Sequence, residues 1–213
     1  MKTLIYFVRH GQSLGNEQRI FLGHTDMDLT DLGRAQAEAT AKRLAGVDFS
    51  AFYSSDLLRA YNTAMPHADM RDMTVKTDKR LRELYCGDWE GLTVEEIIEC
   101  YGELYTVSWA HGFGSFRMPN GESVAEGAER MYDAALDMGR ENEGKIVLCA
   151  SHAAVMRALF AKIKGIAPEN IAAELPYPSN ASYSVVEYDN GELKLLTFSE
   201  DEHLEGMSTT WRD

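Results

Sequence analysis

Short apolar runs that alternate with helical stretches, helix caps placed between them, and a closing strand pair joined by Asp189-Asn190-Gly191 predict an α/β protein. The expected architecture is a three-layer α/β/α sandwich with a mostly parallel central sheet, one domain over residues 1–213. The first strand is Leu4 to Val8, and it exits on Arg9-His10-Gly11. A loop through Gly11, Gly15 and Gly23 follows, and Thr30 caps a helix carried by Ala35, Ala37, Ala39, Ala41 and Leu44 to a stop at Gly46. Ala51 to Ser54 is the second strand, and Ser55-Asp56 is expected to cap a helix that ends near Pro66.

Thr74 to Lys76 makes a third short strand, and Leu81 to Leu84 a strand end or loop. Between about 85 and 121 the periodicity fails. Trp89 and Trp109 stand there among Tyr85, Tyr101, Tyr105, Phe113 and Phe116, with glycines at 87, 91, 102, 112 and 114. Such an aromatic, glycine-punctuated insertion reads as a lid or pocket wall, with ordinary core packing as the alternative. Glu122 to Asn142 is a long helix, Lys145 to Ala150 a buried strand, and His152 to Ile163 a helix started by Ser151. Ala181 to Tyr188 and Leu193 to Phe198 form the final hairpin.

Composition narrows the function classes. The 213 residues are 45% hydrophobic and 26% charged, as in an ordinary globular protein. A formal net charge of −13 argues against a nucleic-acid surface, which needs clustered lysine and arginine. No run approaches the roughly 20 apolar residues that span a bilayer, so no membrane partner is expected. Met1-Lys2-Thr3 leads directly into a strand with no signal-peptide pattern, and the expected location is the cytoplasm. Cys86, Cys100 and Cys149 are odd in number and widely spaced, so neither a disulfide framework nor a zinc clip is indicated; Cys149 reads as a small core residue.

Ligands of open α/β sheets bind outside the carboxyl ends of strands, and a glycine there lets backbone approach a phosphate. Arg9-His10-Gly11 therefore suggests a phosphorylated ligand, held by a few local cations because the acidic body repels anions at long range. Arg59, Glu83 and Ser151-His152 stand at comparable exits or turns. Each alone is more often structural or solvated than catalytic.

Taken together these segments resemble a known family. Arg9-His10-Gly11-Gln12-Ser13-Leu14-Gly15-Asn16 is similar to the R-H-G-x-S/T-x-x-N signature of the histidine phosphatase superfamily, also called the phosphoglycerate mutase-like family. Ser54 to Ala64, Leu81 to Gly91, Pro119 to Ser123 and Ser151-His152 follow that family's later blocks in order. The resemblance implies the phosphoglycerate mutase-like fold and a covalent phosphoryl transfer with His10 as nucleophile. It implies Arg9 and Arg59 as the phosphate clamp, His152 as the second histidine on the transferring group, and Glu83 as general acid and then general base. Gln12, Ser13 and Asn16 are further phosphate-binding candidates, with loop capping the alternative for Ser13 and Asn16.

Ala153 departs from the family's usual Ser-His-Gly, and a methyl group there is expected to be harmless. Gly87-Asp88-Trp89-Glu90-Gly91 resembles the phosphatase branch, so a phosphatase acting on a small phosphorylated metabolite is favoured over a phosphoglycerate mutase. No metal and no cofactor are expected; 2,3-bisphosphoglycerate would be needed only by a mutase. A non-catalytic phosphate-binding module and a zinc hydrolase built on His10, His152 and Glu83 are less consistent with the intact set of residues. The substrate's identity and the oligomeric state, a homodimer included, stay open, with Arg82, Tyr85, His111 and Arg117 as candidates to touch substrate.

Overall fold

The computed structural model describes residues 1–105 and 116–210. Its six strands are β1 (Thr3–Arg9), β2 (Phe49–Ser54), β3 (Val75–Thr77), β4 (Ile146–Ser151), β5 (Tyr183–Asp189) and β6 (Glu192–Glu200). They form one sheet in the order β3-β2-β4-β1-β5-β6. β3, β2, β4 and β1 run parallel, whereas β5 is antiparallel to β1 and β6 to β5. The helices are α1 (Leu14–Glu17), α2 (Asp31–Arg43), α3 (Leu58–Asp69), α4 (Val94–Tyr101), α5 (Val124–Glu141), α6 (Ala153–Lys164) and α7 (Ile171–Glu174).

Central strands buried on both faces need apolar residues at successive positions, and β1 and β4 supply them. Ile5, Phe7, Val147 and Cys149 face a core shared with Met131, Ala134 and Ala135 of α5 and Val155, Met156 and Leu159 of α6. Val8, Phe52, Leu148 and Ala150 face the other side, against Ala60, Ala64 and Ala68 of α3. Two helical layers therefore sandwich the sheet, as expected. The Asn190-Gly191 turn has φ of 49° and 93°, the pair of positive values that a two-residue hairpin with matching twist requires.

Register matters for function. Arg9 lies opposite Ser151 where β1 and β4 end, so the residues that follow, His10 and His152, emerge side by side.

Several boundaries differ from expectation. Pro66 does not end α3 but lies inside it, because His67 and Ala68 stay buried beyond it and their packing outweighs one lost backbone hydrogen bond. Ser55-Asp56 does not cap α3; the N–H of Leu58 donates to the Asp26 carboxylate at 2.8 Å, and Asp56 instead pairs with Arg82. α5 starts at Val124 behind a Ser123–Glu126 capping box, and α2 ends at Arg43, before Gly46. Leu81 belongs to a single 3-10 turn, and its carbonyl accepts from the Ser151 hydroxyl at 2.8 Å.

Between 85 and 121, Trp89 is fully buried, with Phe21, Tyr105 and Phe116 centred 5.6–5.8 Å from it. These aromatics pack on one another. Trp109, His111 and Phe113 of the same stretch lie outside the described residues.

Candidate active site

A cavity open to solvent lies beyond the ends of β1 and β4, with Arg9, His10, Asn16, Arg59, Glu83 and Ala153 on its wall.

His10 is 4% exposed and leaves β1 with its backbone fixed from three sides. Its N–H donates to Ser151 O at 2.9 Å, and its carbonyl accepts from the Ala181 N–H and the Asn180 amide. Its Nδ1 lies 2.7 Å from Gly11 O. A carbonyl can only accept, so Nδ1 carries the hydrogen and Nε2 keeps a free lone pair. Burial, then Arg59 and Arg9, push the imidazole well below its usual pKa, which keeps it neutral. The site thus holds an unprotonated ring nitrogen among fixed cations.

Arg9 and Arg59 are each 1% exposed. Arg59 donates to Gly23 O at 2.8 Å and Thr25 O at 2.9 Å, and Arg9 donates to Pro178 O. The carbonyls of Gly23 and Thr25 orient the Arg59 guanidinium without cancelling its charge, and a dianion beside two guanidinium groups gains strongly. His152, fully buried, stands 5.1 Å from His10 ring to ring, and neither of its nitrogens has a hydrogen-bond partner among the described residues. Burial, then Arg59 and His10, hold it well below its usual pKa as well. A neutral imidazole there offers an N–H to an incoming oxygen.

Glu83 sits against the N-terminus of α6. Its Oε1 accepts from the N–H groups of Leu84 and Val155, both at 2.9 Å, while among the described residues Oε2 accepts only from Ala154 at 3.1 Å. Each carboxylate oxygen has two lone-pair positions, so Oε1 is filled and Oε2 keeps one open for a proton. Arg9, His10, Arg59, Glu83 and His152 are therefore brought together. Ala153 opens α6 and is 4% exposed on the cavity wall.

The other phosphate-binding candidates separate. Asn16 lines the cavity, but its Oδ1 is engaged by the Ser13 N–H and the Asn180 amide. Ser13 is wholly buried in a reciprocal capping box with Asn16. The Gln12 side chain accepts from the Thr30 hydroxyl at 2.8 Å, away from the cavity wall. Gly11 differs from its expected role: its N–H donates to Thr63 Oγ1, and a Cβ there would lie 2.3 Å from Gly33 O. The glycine serves close backbone packing of the loop on α2. Of the substrate-contact candidates, Arg82 is paired with Asp56, Arg117 is paired with Glu126, and Tyr85 and Arg117 line a shallow groove outside the cavity.

Four supporting groups escaped the sequence reading. Glu90 accepts from the N–H groups of His24 and Cys86 and from the Thr25 hydroxyl, fixing the loop whose carbonyls hold Arg59. Arg130, paired with Glu122, donates to the carbonyls of Arg80, Arg82 and Glu83. His24 Nε2 donates to Glu83 O at 2.9 Å. Asn180, fully buried, ties His10 O to Asn16 and is itself held by Thr209. Only Glu90 and Glu122 lie within the motif blocks, where their identity was the one available signal.

Comparison with known proteins shows the family. The profile of the histidine phosphatase superfamily (branch 1) matches residues 5–201. A 2,3-bisphosphoglycerate-dependent phosphoglycerate mutase from Gloeobacter violaceus is 34% identical over 174 residues, 79% of each chain. Phosphoserine phosphatase 1 from Hydrogenobacter thermophilus is 28% identical over 94% of this chain and 93% of its own. The structure of mycobacterial glucosyl-3-phosphoglycerate phosphatase superposes with a TM-score of 0.83 at 27% identity, covering 93% of this chain and 99% of that one.

Proposed function

The chain belongs to the histidine phosphatase superfamily, and from that premise we propose that it hydrolyses small phosphomonoesters through a phosphohistidine on Nε2 of His10, without a metal ion. The observation that carries this reading is the His10 ring, whose Nδ1 is committed to Gly11 O while two buried guanidinium groups flank it. In the first step Nε2 attacks phosphorus, the P–O bond to the substrate breaks, and the leaving oxygen takes the proton from Oε2 of Glu83. In the second, water gives a proton to Glu83 and attacks phosphorus, the P–N bond breaks, and inorganic phosphate leaves. Arg9, Arg59 and the N–H of His152 neutralise the oxygens throughout.

Among the described residues no group of three or more His, Cys, Asp or Glu side chains could share a metal ion. The donor chemistry also favours an anion, since Arg9 and Arg59 would repel a divalent cation beside His10. Full activity in excess chelator is the expected result. No helix among the described residues is long and apolar enough to cross a membrane. We place the enzyme in the cytoplasm, acting on a small phosphorylated metabolite as a monomer or homodimer, with Cys86 and Met118 of the stretch from 85 to 121 on the cavity wall.

The similarity to a mutase supports a second reading, in which the phosphoryl group is retained and 2,3-bisphosphoglycerate primes His10. Supplying 3-phosphoglycerate with and without that bisphosphate separates the two: phosphate release marks the phosphatase, primer-dependent isomerisation the mutase. His10→Ala is expected to abolish both turnover and the acid-labile phosphoenzyme. Retained turnover in that variant would sink the covalent mechanism.

A further inference from the structure

We propose that Arg130 is a positioning residue for the reaction: its guanidinium sets where the Glu83 carboxylate stands, and so governs the proton transfers, from outside the cavity wall. The assignment rests on the phosphatase reading, since only there does Glu83 move protons.

Glu83 belongs to no regular element. The 3-10 turn before it ends at Leu81, and residues 83–86 lie outside any helix or strand. Carbonyls in such a segment have no ladder to join and take their donors from side chains or water. Water satisfies them without fixing them.

Arg130 supplies fixed donors from α5, where the next residue, Met131, is fully buried in the core. Its Nη1 donates to Arg80 O at 2.8 Å and to Arg82 O at 2.7 Å, and its Nη2 to Glu83 O at 2.8 Å. Its Nε and Nη2 also donate to the two Glu122 oxygens, at 2.6 and 2.7 Å. All five guanidinium N–H groups therefore have an acceptor. Glu122 closes the arrangement, because its Oε2 accepts from the Tyr85 N–H and its own N–H donates to Tyr85 O at 2.8 Å.

Three carbonyls on one planar group fix both the place and the orientation of the segment. The Glu83 backbone is thus hung from α5 while its carboxylate meets the N–H groups of Ala154 and Val155 on α6. His24 Nε2 also donates to Glu83 O, but that single bond leaves the Arg80 and Arg82 carbonyls unheld. A lysine at 130 would keep a positive charge beside Glu122, yet its three donors on one atom cannot span a carboxylate and three carbonyls. A displacement of about 1 Å in a reacting group can cost about 10²-fold.

The test uses 4-nitrophenyl phosphate, whose leaving group needs no proton. In the first turnover Nε2 of His10 attacks phosphorus and 4-nitrophenolate departs, independently of Glu83. In the second step water gives a proton to Oε2 of Glu83, its oxygen bonds to phosphorus, and the P–N electron pair returns to Nε2. Arg130→Lys is expected to leave the first-turnover rate close to that of the unaltered enzyme. The steady-state rate is expected to fall by about tenfold to 10²-fold, with phosphohistidine accumulating. Glu122→Gln, which keeps an acceptor for the Tyr85 N–H but loosens the guanidinium, should slow the same step by a smaller factor even if the lysine variant does not fold. In a Glu83→Gln background Arg130→Lys should change the second step by no more than about twofold, whereas residues that act independently multiply their effects. Equal falls in both steps, no fall in either, or multiplied effects in the double variant would overturn the assignment and leave the phosphatase reading standing. An unaltered enzyme that releases no 4-nitrophenolate would overturn that reading, and the assignment with it.

Discussion

Replacing Glu83 by glutamine separates the proton transfer assigned to it by the proposed mechanism from the backbone contacts the carboxylate makes. Three backbone N–H groups point at it, two on Oε1 and one on Oε2. An amide with its oxygen at the Oε1 position keeps the bonds from Leu84 and Val155 but sets its NH2 against the N–H of Ala154. The flipped amide opposes two donors instead of one. The better orientation thus forfeits one part-buried hydrogen bond, a cost of about 1–3 kcal/mol. For a chain of this size that lowers the melting temperature by about 2–4 °C per kcal/mol.

The chemical loss is separate. A positioned general acid contributes about 10²–10⁴ in rate when the leaving group needs a proton. An alkyl phosphate needs one and 4-nitrophenyl phosphate does not, so rapid mixing of Glu83→Gln with each reports different things. The burst of 4-nitrophenolate, which marks phosphorylation of His10, is expected to stay within about tenfold of the unaltered enzyme. Phosphorylation by hexyl phosphate is expected to fall by about 10²–10⁴. An equal fall with both esters would refute the argument and reduce Glu83 to a cap on α6.

Stability should depend on pH through His67, which is fully buried with neither ring nitrogen partnered among the described residues. Burial, then Arg71 and His203, lower its pKa from 6.5 to about 3, so below pH 6.5 the unfolded chain binds a proton that the folded chain refuses. Its contribution, intact above pH 6.5, declines as pH falls and levels off below about 3. Between pH 7.5 and 5.0 the decline is about 2 kcal/mol. Urea titrations should find that much less pH dependence in His67→Leu; an unchanged slope counts against the buried neutral ring. Gly11→Ala should cost about 1–3 kcal/mol or more by forcing the loop off α2, and should lower activity by shifting His10. Gly46→Ala, with nothing within 4 Å of the added methyl, is the control, and equal behaviour of the two variants would dismiss the packing account.

The parts of the fold that sequence reveals are those specified locally. β1 and β4 are runs of apolar residues, Asn190-Gly191 is a turn by its own conformational preference, and Thr30 caps α2 from the position expected. Parts specified by distant partners are not legible that way. Pro66 ends a helix by local rules, yet burial of Ala68 carries α3 past it. Asp56 has the chemistry of a cap but a better partner in Arg82, and the cap comes from Asp26, 32 residues before Leu58.

The site follows the same division. His10 and His152 are legible because each directly follows a strand. Glu90 and Asn180 are not, because they act on backbone atoms 66 and 170 residues away, respectively. Arg130 reaches the carbonyl of Glu83 across 47 residues, and nothing in its own surroundings on α5 announces that contact.

The position of β1 in the sheet has a consequence for how the protein comes to exist. His10 stands at the exit of β1, but both hydrogen-bonding neighbours of that strand, β4 and β5, begin more than a hundred residues later, at Ile146 and Tyr183. Asn180, which fixes the His10 carbonyl, is in turn held by Thr209. A growing chain therefore carries β1 without either neighbouring strand until β4 and β5 have been made. The surroundings of His10 are complete only when β4, β5 and Asn180 have closed on β1.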